Sequence, residues 1–270
     1  MLMITKAGRL VLATGAVLSL TACEKEPSVL EPTAARAVTP VKTNQPYAPQ
    51  IVPANFVPGT PNPYFPLVPG TTYHYKTDDG AELNEVAVTA DSKTILGVSI
   101  VVVHDRVYVD ENGNGDADGA SCGAAPGFNA ELVEETFDWF APDNEGNVWY
   151  FGEDSKEYEH CALLGTTGSW EAGLDGAQPG IVMLAQPVIG QTYRQEFSAG
   201  VAEDFAKVVS LKQAVSVPFG DFEGCVETME WTPLEPGDRA HKYYCAGVGL
   251  ILELTPKGGN ERNELISRTP

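Results

Sequence analysis

Positive charge is scarce in this 270-residue chain: 17 lysines and arginines stand against 37 aspartates and glutamates, a formal net charge of −20. So acidic a surface repels phosphate backbones and anionic headgroups, which excludes nucleic acid and polybasic membrane binding, and it attracts divalent cations. Cysteine is sparse too. There are five, none in a C-x-x-C pair, and the four histidines (His74, His104, His160, His241) are scattered. The clustered ligands of a structural zinc site are therefore lacking. Long apolar runs are also missing. The uncharged stretch at residues 10–22 (LVLATGAVLSLTA) falls short of the ~20 residues a membrane-spanning helix needs, and Thr14, Gly15 and Ser19 dilute it further.

What that stretch does fit is an export signal. Lys6 and Arg9 form a positive beginning, the apolar segment follows, and it ends in Leu20-Thr21-Ala22-Cys23. This tetrapeptide resembles the lipobox of bacterial lipoproteins, and an ordinary secretory cleavage site would want a small residue where Leu20 stands. The resemblance implies a signal peptide over residues 1–22 and a diacylglycerol thioether on Cys23. Each buried methylene of such an anchor is worth about 0.8 kcal/mol, and two or three chains make attachment stable. Glu24, in place of the aspartate that retains lipoproteins at the inner membrane, implies the outer membrane. Removal of Lys6 and Arg9 leaves 15 basic against 37 acidic residues, a mature charge of −22.

Residues 23–62 read as the lipidated cysteine and a disordered tether. Eight prolines (Pro27, Pro32, Pro40, Pro46, Pro49, Pro53, Pro58, Pro61) lie among threonine, alanine, asparagine and glutamine. Such composition holds a chain extended at ~3.1 Å per residue.

Residues 63–270 then read as one all-β domain, an antiparallel β-sandwich or a half-open barrel. Short runs of period two sit between glycine, proline, asparagine and aspartate. Tyr73 and Tyr75 share a face, as do Val101, Val103, Val107 and Val109, and Val133, Phe137 and Trp139. Residues 143–147 (DNEGN) turn into a hairpin. Residues 192–198 alternate Tyr193 and Phe197 against Arg194, Glu196 and Ser198. Residues 202–211 carry helical spacing at Phe205, Val208 and Val209, though the run also suits a strand.

Besides Cys23, four cysteines remain in what is expected to be an oxidising compartment: Cys122, Cys161, Cys225 and Cys245. Three pairings are open, and hairpin register favours one. If Trp231 and Arg239 flank a loop, residue 229 faces 241 and Cys225 faces Cys245, leaving Cys122 to Cys161. Closing about 20 residues should add roughly 3 kcal/mol.

The strongest chemical motif is the acidic run at residues 110–118. Asp110, Asn112, Asn114, Asp116 and Asp118 offer oxygens at positions 1, 3, 5, 7 and 9, with Gly115 at the turn, which is calcium-loop spacing. Ser121 stands where a bidentate glutamate would close the site, so Glu131 or water would have to serve. The other reading is an acidic hairpin insertion stapled by Cys122. Gly119-Ala120-Ser121-Cys122-Gly123 matches G-x-S-x-G, but neither the strand before it nor the helix after it that a nucleophile elbow needs is there. Glu134, Glu135, Asp138, Glu153, Asp154, Glu157 and Glu159 lie near Trp139 and Trp149, an arrangement that suits glycoside chemistry or chance crowding.

Two stretches resemble known exported proteins. Residues 64–75 (YFPLVPGTTYHY) are similar to the F-P-L-x-x-G-x-x-W/Y-x-Y lead-in of many secreted bacterial lipoproteins. The blocks ETFDWFAPDNEGNVWYFGED, GSWEAGLDGAQPGI, TYRQEF and EWTPLEPG resemble a family of uncharacterised exported bacterial proteins. That resemblance implies no reaction. The leading expectation is a non-catalytic envelope lipoprotein in a binding or structural role, calcium-stabilised if the acidic loop is filled. The rivals are a carrier of hydrophobic ligands and a hydrolase, the latter recognisable by a pocket holding two acids or a Ser–His pair.

Overall fold

The computed structural model describes residues 47–56, 61–109, 130–255 and 261–270. Within them fifteen strands follow in chain order: β1 (Thr72–Thr77), β2 (Glu82–Ile95), β3 (Val98–Val109), β4 (Glu131–Pro142), β5 (Val148–Glu159), β6 (Ala162–Gly165), β7 (Trp170–Glu171), β8 (Gln178–Met183), β9 (Thr192–Arg194), β10 (Glu196–Phe197), β11 (Phe205–Val217), β12 (Gly220–Trp231), β13 (Ala240–Cys245), β14 (Gly249–Thr255) and β15 (Glu261–Thr269). Every pairing is antiparallel, and the order across the sheet is β10-β8-β5-β4-β3-β2-β1-β15-β14-β13-β12-β11-β9, with β6 and β7 added on β5. Most neighbours are consecutive hairpins, as short turns between alternating strands dictate.

The first and last strands of that order are one residue apart in the chain. Phe205 of β11 pairs with Arg194, while Pro179 of β8 pairs with Glu196. Gln195 between them carries the chain from one end of the sheet to the other, and the sheet becomes a nearly closed barrel. Closure removes the unpaired edges that an open sheet would expose. Gly180 makes the seam fit: a Cβ there would stand 2.3 Å from the carbonyl carbon of Gln195.

One open reading closes and three expectations change. The run at residues 202–211 is a strand, because Phe205, Ala206, Lys207 and Val208 pair with Trp231, Glu230, Met229 and Thr228. Residues 192–198 do not form one strand with a polar outer face; the run breaks at Gln195 and buries Glu196 completely. The acid-bearing face of β4 (Glu134, Thr136, Asp138) turns inward, and Trp139 lies on the other side beneath its own cover. The folded part also begins upstream of Pro63. Tyr47 donates a hydrogen bond to the Pro179 carbonyl at 3.0 Å, and Phe56 packs edge-on against Trp149 and Phe151. Aromatic anchors dock residues 47–56 of the proline-rich segment, which composition alone reads as extended.

The hairpin β12–β13 has the expected register. Met229 faces His241, and Cys225 and Cys245 form a disulfide with Cα atoms 4.4 Å apart. Val109 pairs with Glu131, so the acidic run lies in the connection between neighbours β3 and β4. Asp110, Asn112, Asn114, Asp116, Asp118 and Cys122 lie outside the described residues, as does Cys23. Cys161 stands at the base of that connection, its N–H donating to Glu131 at 3.3 Å.

Candidate functional site

Register fixes which side chains face the barrel interior. Val88, Val103, Asp138 and Glu153 stand in one inward row, Tyr73, Val86, Asp105 and Thr136 in the next, and Tyr75, Asn84, Val107 and Glu134 in the one after. On the opposite wall Glu253, Lys242, Thr228 and Val208 share a row. The interior thus has an apolar zone and a polar one. Asp105, Glu134, Asp138, Glu153, Glu196, Glu230 and Glu253 all point inward, and Lys242 is the only buried cation among the described residues.

A bulge organises the acids. Between Asp138/Phe140 and Glu153/Tyr150 strand β5 carries one residue more than β4, which turns both Tyr150 and Glu153 inward. Gly152 occupies the extra position with φ +130°, where a Cβ would collide with the Trp170 carbonyl oxygen of β7. The Tyr150 hydroxyl lies 2.6 Å from Asp138 Oδ1 and 2.9 Å from Glu153 Oε2. One phenol proton cannot serve both carboxylates, so one acid must bring its own. Burial raises Glu153 to about 8 and Glu134 to about 7, so a neutral Glu153 donating to Tyr150, which donates to Asp138, satisfies all three. Burial, then the charges of Asp138 and Glu134, holds Asp105 well above the usual carboxylate range. Glu196 is held high by burial and then by Asp204 and Glu153.

The opposite wall is built around a cation. Lys242 lies 3.0 Å from Glu230 and 3.7 Å from Glu253. Burial pulls the lysine pKa down, but the two glutamates outweigh it and hold it above the ordinary value. Burial lifts Glu253 to about 8 against the pull of Lys242. Thr228 donates to Glu230 at 2.9 Å and Tyr244 to the same oxygen at 3.3 Å.

Between these walls lies a cavity of about 70 Å³. Tyr75, Val86, Val88, Val103, Phe140 and Tyr244 supply its apolar lining; Tyr73, Asp138, Gln195 and Lys242 bring polar groups. The strap Phe65-Pro66-Leu67 covers it. Asn62, at the strap's beginning, is buried and donates to the carbonyls of Gly146 and Leu184 at 2.8 and 3.1 Å. At the other end Gly70 donates to the Val88 carbonyl at 2.8 Å. Both ends are tied, and the middle lies over the hollow.

Several polar atoms inside the barrel have no hydrogen-bond partner: Tyr73 Oη, Asn84 Oδ1, Tyr193 Oη, Gln195 Oε1 and Asn263 Oδ1, while the Trp170 indole faces the Glu196 carboxyl. Unpaired buried groups cost about 1–3 kcal/mol each, so an interior with this many is built to hold something that pairs them, water included.

A Ser–His pair does exist, on the outer face. The Ser267 hydroxyl is 3.1 Å from His74 Nδ1, and His74 Nε2 is 3.3 Å from Glu85. Burial and the Arg106 charge lower the His74 pKa. These residues form a cross-strand rung, Ser267–His74–Glu85–Arg106–Glu135, in register over β15, β1, β2, β3 and β4. Glu85 is held on its other side by Arg106, as expected of a charge-alternating rung. None of these residues lines the cavity. Glu135 bonds His104 at 2.9 Å and Tyr158 at 3.3 Å, and Asp154 bonds Lys156 at 3.3 Å. Of the acids expected to pair near Trp139 and Trp149, then, Glu134, Asp138 and Glu153 gather inside, beside Trp170 instead. Among the described residues no group of three or more histidine, cysteine, aspartate or glutamate side chains is arranged to hold a metal ion.

Neither a protein-family model nor a curated protein matches the chain. Among solved structures it is similar to a crystal structure named as an exported protein with a YmcC-like fold from Bacteroides fragilis. The TM-score is 0.41 and identity 13%, over 77% of this chain and 99% of that one. It is similar to the same degree, TM-score 0.41 at 11% identity and the same coverage, to one named as a lipoprotein from Parabacteroides distasonis.

Proposed function

We propose that this is an outer-membrane lipoprotein, anchored through Cys23, whose barrel binds a small molecule in its interior and catalyses no reaction. The observation that carries the binding role is the strapped cavity with unpartnered polar atoms of Tyr73 and Gln195 in its lining. The anchor rests on the Leu20-Thr21-Ala22-Cys23 motif and the tether after it. A cavity of about 70 Å³ is far below the ~300–1,000 Å³ of sites for larger ligands. It holds no long acyl chain while the strap is in place, which disfavours the carrier of hydrophobic ligands.

Calcium in the β3–β4 connection belongs to the same proposal. Its support is the spacing of Asp110, Asn112, Asn114, Asp116 and Asp118, and its role would be to hold that insertion, with Cys122–Cys161 as the second staple.

The test has two arms. In cell fractions the wild-type chain should stay with the outer membrane and the Cys23→Ser variant should be released. Organic extracts of gently purified protein should contain one small molecule in near-stoichiometric amount. A variant that stays membrane-bound overturns the anchor, and extracts without a ligand overturn the binding role.

A further inference from the structure

The two ends of the barrel differ in charge. Asn62 of the strap bonds the β4–β5 turn at Gly146 and the β8–β9 connection at Leu184. Gly247 of the β13–β14 turn donates to the Pro63 carbonyl, and Asn144 to the Asn55 carbonyl. The strap, these three connections and the segment around Asn55 therefore form one end. Residues 43–75, 176–193 and 243–252, which supply most of it, contain no aspartate, glutamate, lysine or arginine. Among the described residues its connections carry only Asp143 and Glu145. Asp143 is buried, its carboxylate taken by the N–H groups of Glu145 and Asn147 and by the Trp149 indole. Arg268 reaches in from β15 to the Gly247 carbonyl and balances Glu145. Strand direction puts the acids at the opposite end: Asp78 and Asp79 after β1, the run after Val109, Glu203 and Asp204 before β11, Glu235 and Asp238 after β12.

Apolar side chains stand out from the uncharged end. Val68 on the strap is 52% exposed, Val188 and Ile189 on the β8–β9 connection 61% and 62%, and Val52 46%. Val188 and Ile189 sit in a turn closed by the Gln191 N–H on the Val188 carbonyl. Val201 and Leu234 are exposed at the other end, but there Glu203 and Glu235 adjoin them. We infer that the barrel docks by its uncharged end on the bilayer, with Val188 and Ile189 entering the boundary of the acyl chains. Docking rests on the anchor proposed at Cys23. Residues 24–46 separate that cysteine from Tyr47, a span of at most roughly 70 Å when extended. The bilayer is thus always within reach, and a weak contact is enough. Headgroup phosphates repel the acidic end, and its carboxylates would have to shed water to enter. The uncharged end meets neither cost. The contact is apolar, unlike the polybasic kind that the composition excludes. The strap over the cavity belongs to the same end, so docking sets the cavity's cover against lipid.

The lipid-modified chain is reconstituted in phosphatidylcholine vesicles with a fluorescent label at Val188→Cys or, in a second protein, at Asp78→Cys. Position 188 should be quenched by nitroxide-bearing lipids and shielded from aqueous iodide; position 78 should show the reverse. Adding Ile189→Asp to the first protein should return position 188 to iodide. Its Tm should not change, since so exposed a side chain adds little to folding. Flotation with the vesicles reads the anchor separately. Protein that floats while position 188 stays open to iodide overturns the docking and leaves the anchor standing. Protein that does not float overturns both. Shielding that appears only at high protein density, without quenching from the lipid, assigns the face to a second copy of the chain and overturns the docking.

Discussion

Arg194 and Glu196 are two positions apart in the chain and lie in the first and last strands of one sheet. Arg194 pairs with Phe205 of β11, Glu196 with Pro179 of β8, and Gln195 spans the seam. The same switch that closes the barrel aims Gln195 into its cavity and sinks Glu196 among the interior acids. Closure and site are built by one tripeptide. Outside the barrel Arg194 is gripped by aromatic rings: its guanidinium stands 4.1 Å from the Phe205 ring centre, 4.8 Å from Phe197 and 5.4 Å from Tyr47. Tyr47 comes from the proline-rich segment, so the beginning of the folded part clamps the seam.

The seam depends on Gly180. Its Cβ would lie 2.3 Å from Gln195's carbonyl carbon and 2.4 Å from its carbonyl oxygen, both backbone atoms. Gly180→Ala should therefore separate β8 from β10 and lower Tm by about 5–10 °C, from an overpacking cost of about 1–3 kcal/mol. Gly165→Ala, whose nearest neighbour would be 3.5 Å away, should leave the melting curve almost unchanged.

Lys242 is 4% exposed and faces two buried glutamates. Lys242→Met should cost about 3–5 kcal/mol, since removal of one partner leaves buried charge uncompensated. Adding Glu230→Gln and Glu253→Gln should recover a large part of that loss. Chemical denaturation of the single and triple variants gives both numbers.

Stability should fall as pH rises. Glu134, Glu153 and Glu253 have folded-state values of about 7, 8 and 8, above the ordinary 4.5, and burial is the leading cause in each. Between those limits the folded chain binds more protons than the unfolded one, so the slope of unfolding free energy with pH is negative. Their contribution is complete below about pH 4.5 and lost as pH passes through 7–8. Tm should be higher at pH 5 than at pH 9, and a rise over that interval would contradict the buried, neutral acids.

These residues show where sequence reading stops. Alternation made the strands legible, and hairpin register was enough to face Cys225 with Cys245, because both are local properties of two neighbouring runs. Which face of a strand is inner is not local. In β4, Glu134, Thr136 and Asp138 alternate with Val133, Phe137 and Trp139, and the usual rule sends the acids to solvent. The barrel reverses that, covering Trp139 on the outside with Lys93, whose ammonium is 3.3 Å from the ring centre. Glu196 was hidden for a related reason, since a clean alternation gives no sign that pairing changes partners at Gln195. The Gly152 bulge, which brings Tyr150 and Glu153 to one face, had glycine as its only mark.

Calcium in the connection between Val109 and Glu131 has a direct readout. With calcium bound by Asp110, Asn112, Asn114, Asp116 and Asp118, Tm should be several degrees higher than in EDTA, as a ligand at about 100 times its Kd adds about 2.7 kcal/mol. Substituting Asp110→Ala and Asp116→Ala together should abolish the difference. Identical melts of the wild type in calcium and EDTA would retire the site.

The barrel's interior as the working site is tested most directly by native mass spectrometry of the whole lipoprotein, extracted in mild detergent. The wild type should carry the mass of its lipid-modified chain plus one small molecule, and Gln195→Leu, equally folded, should carry the chain mass alone. Wild-type protein with no added mass, or an acyl adduct retained equally by both proteins, would contradict the account.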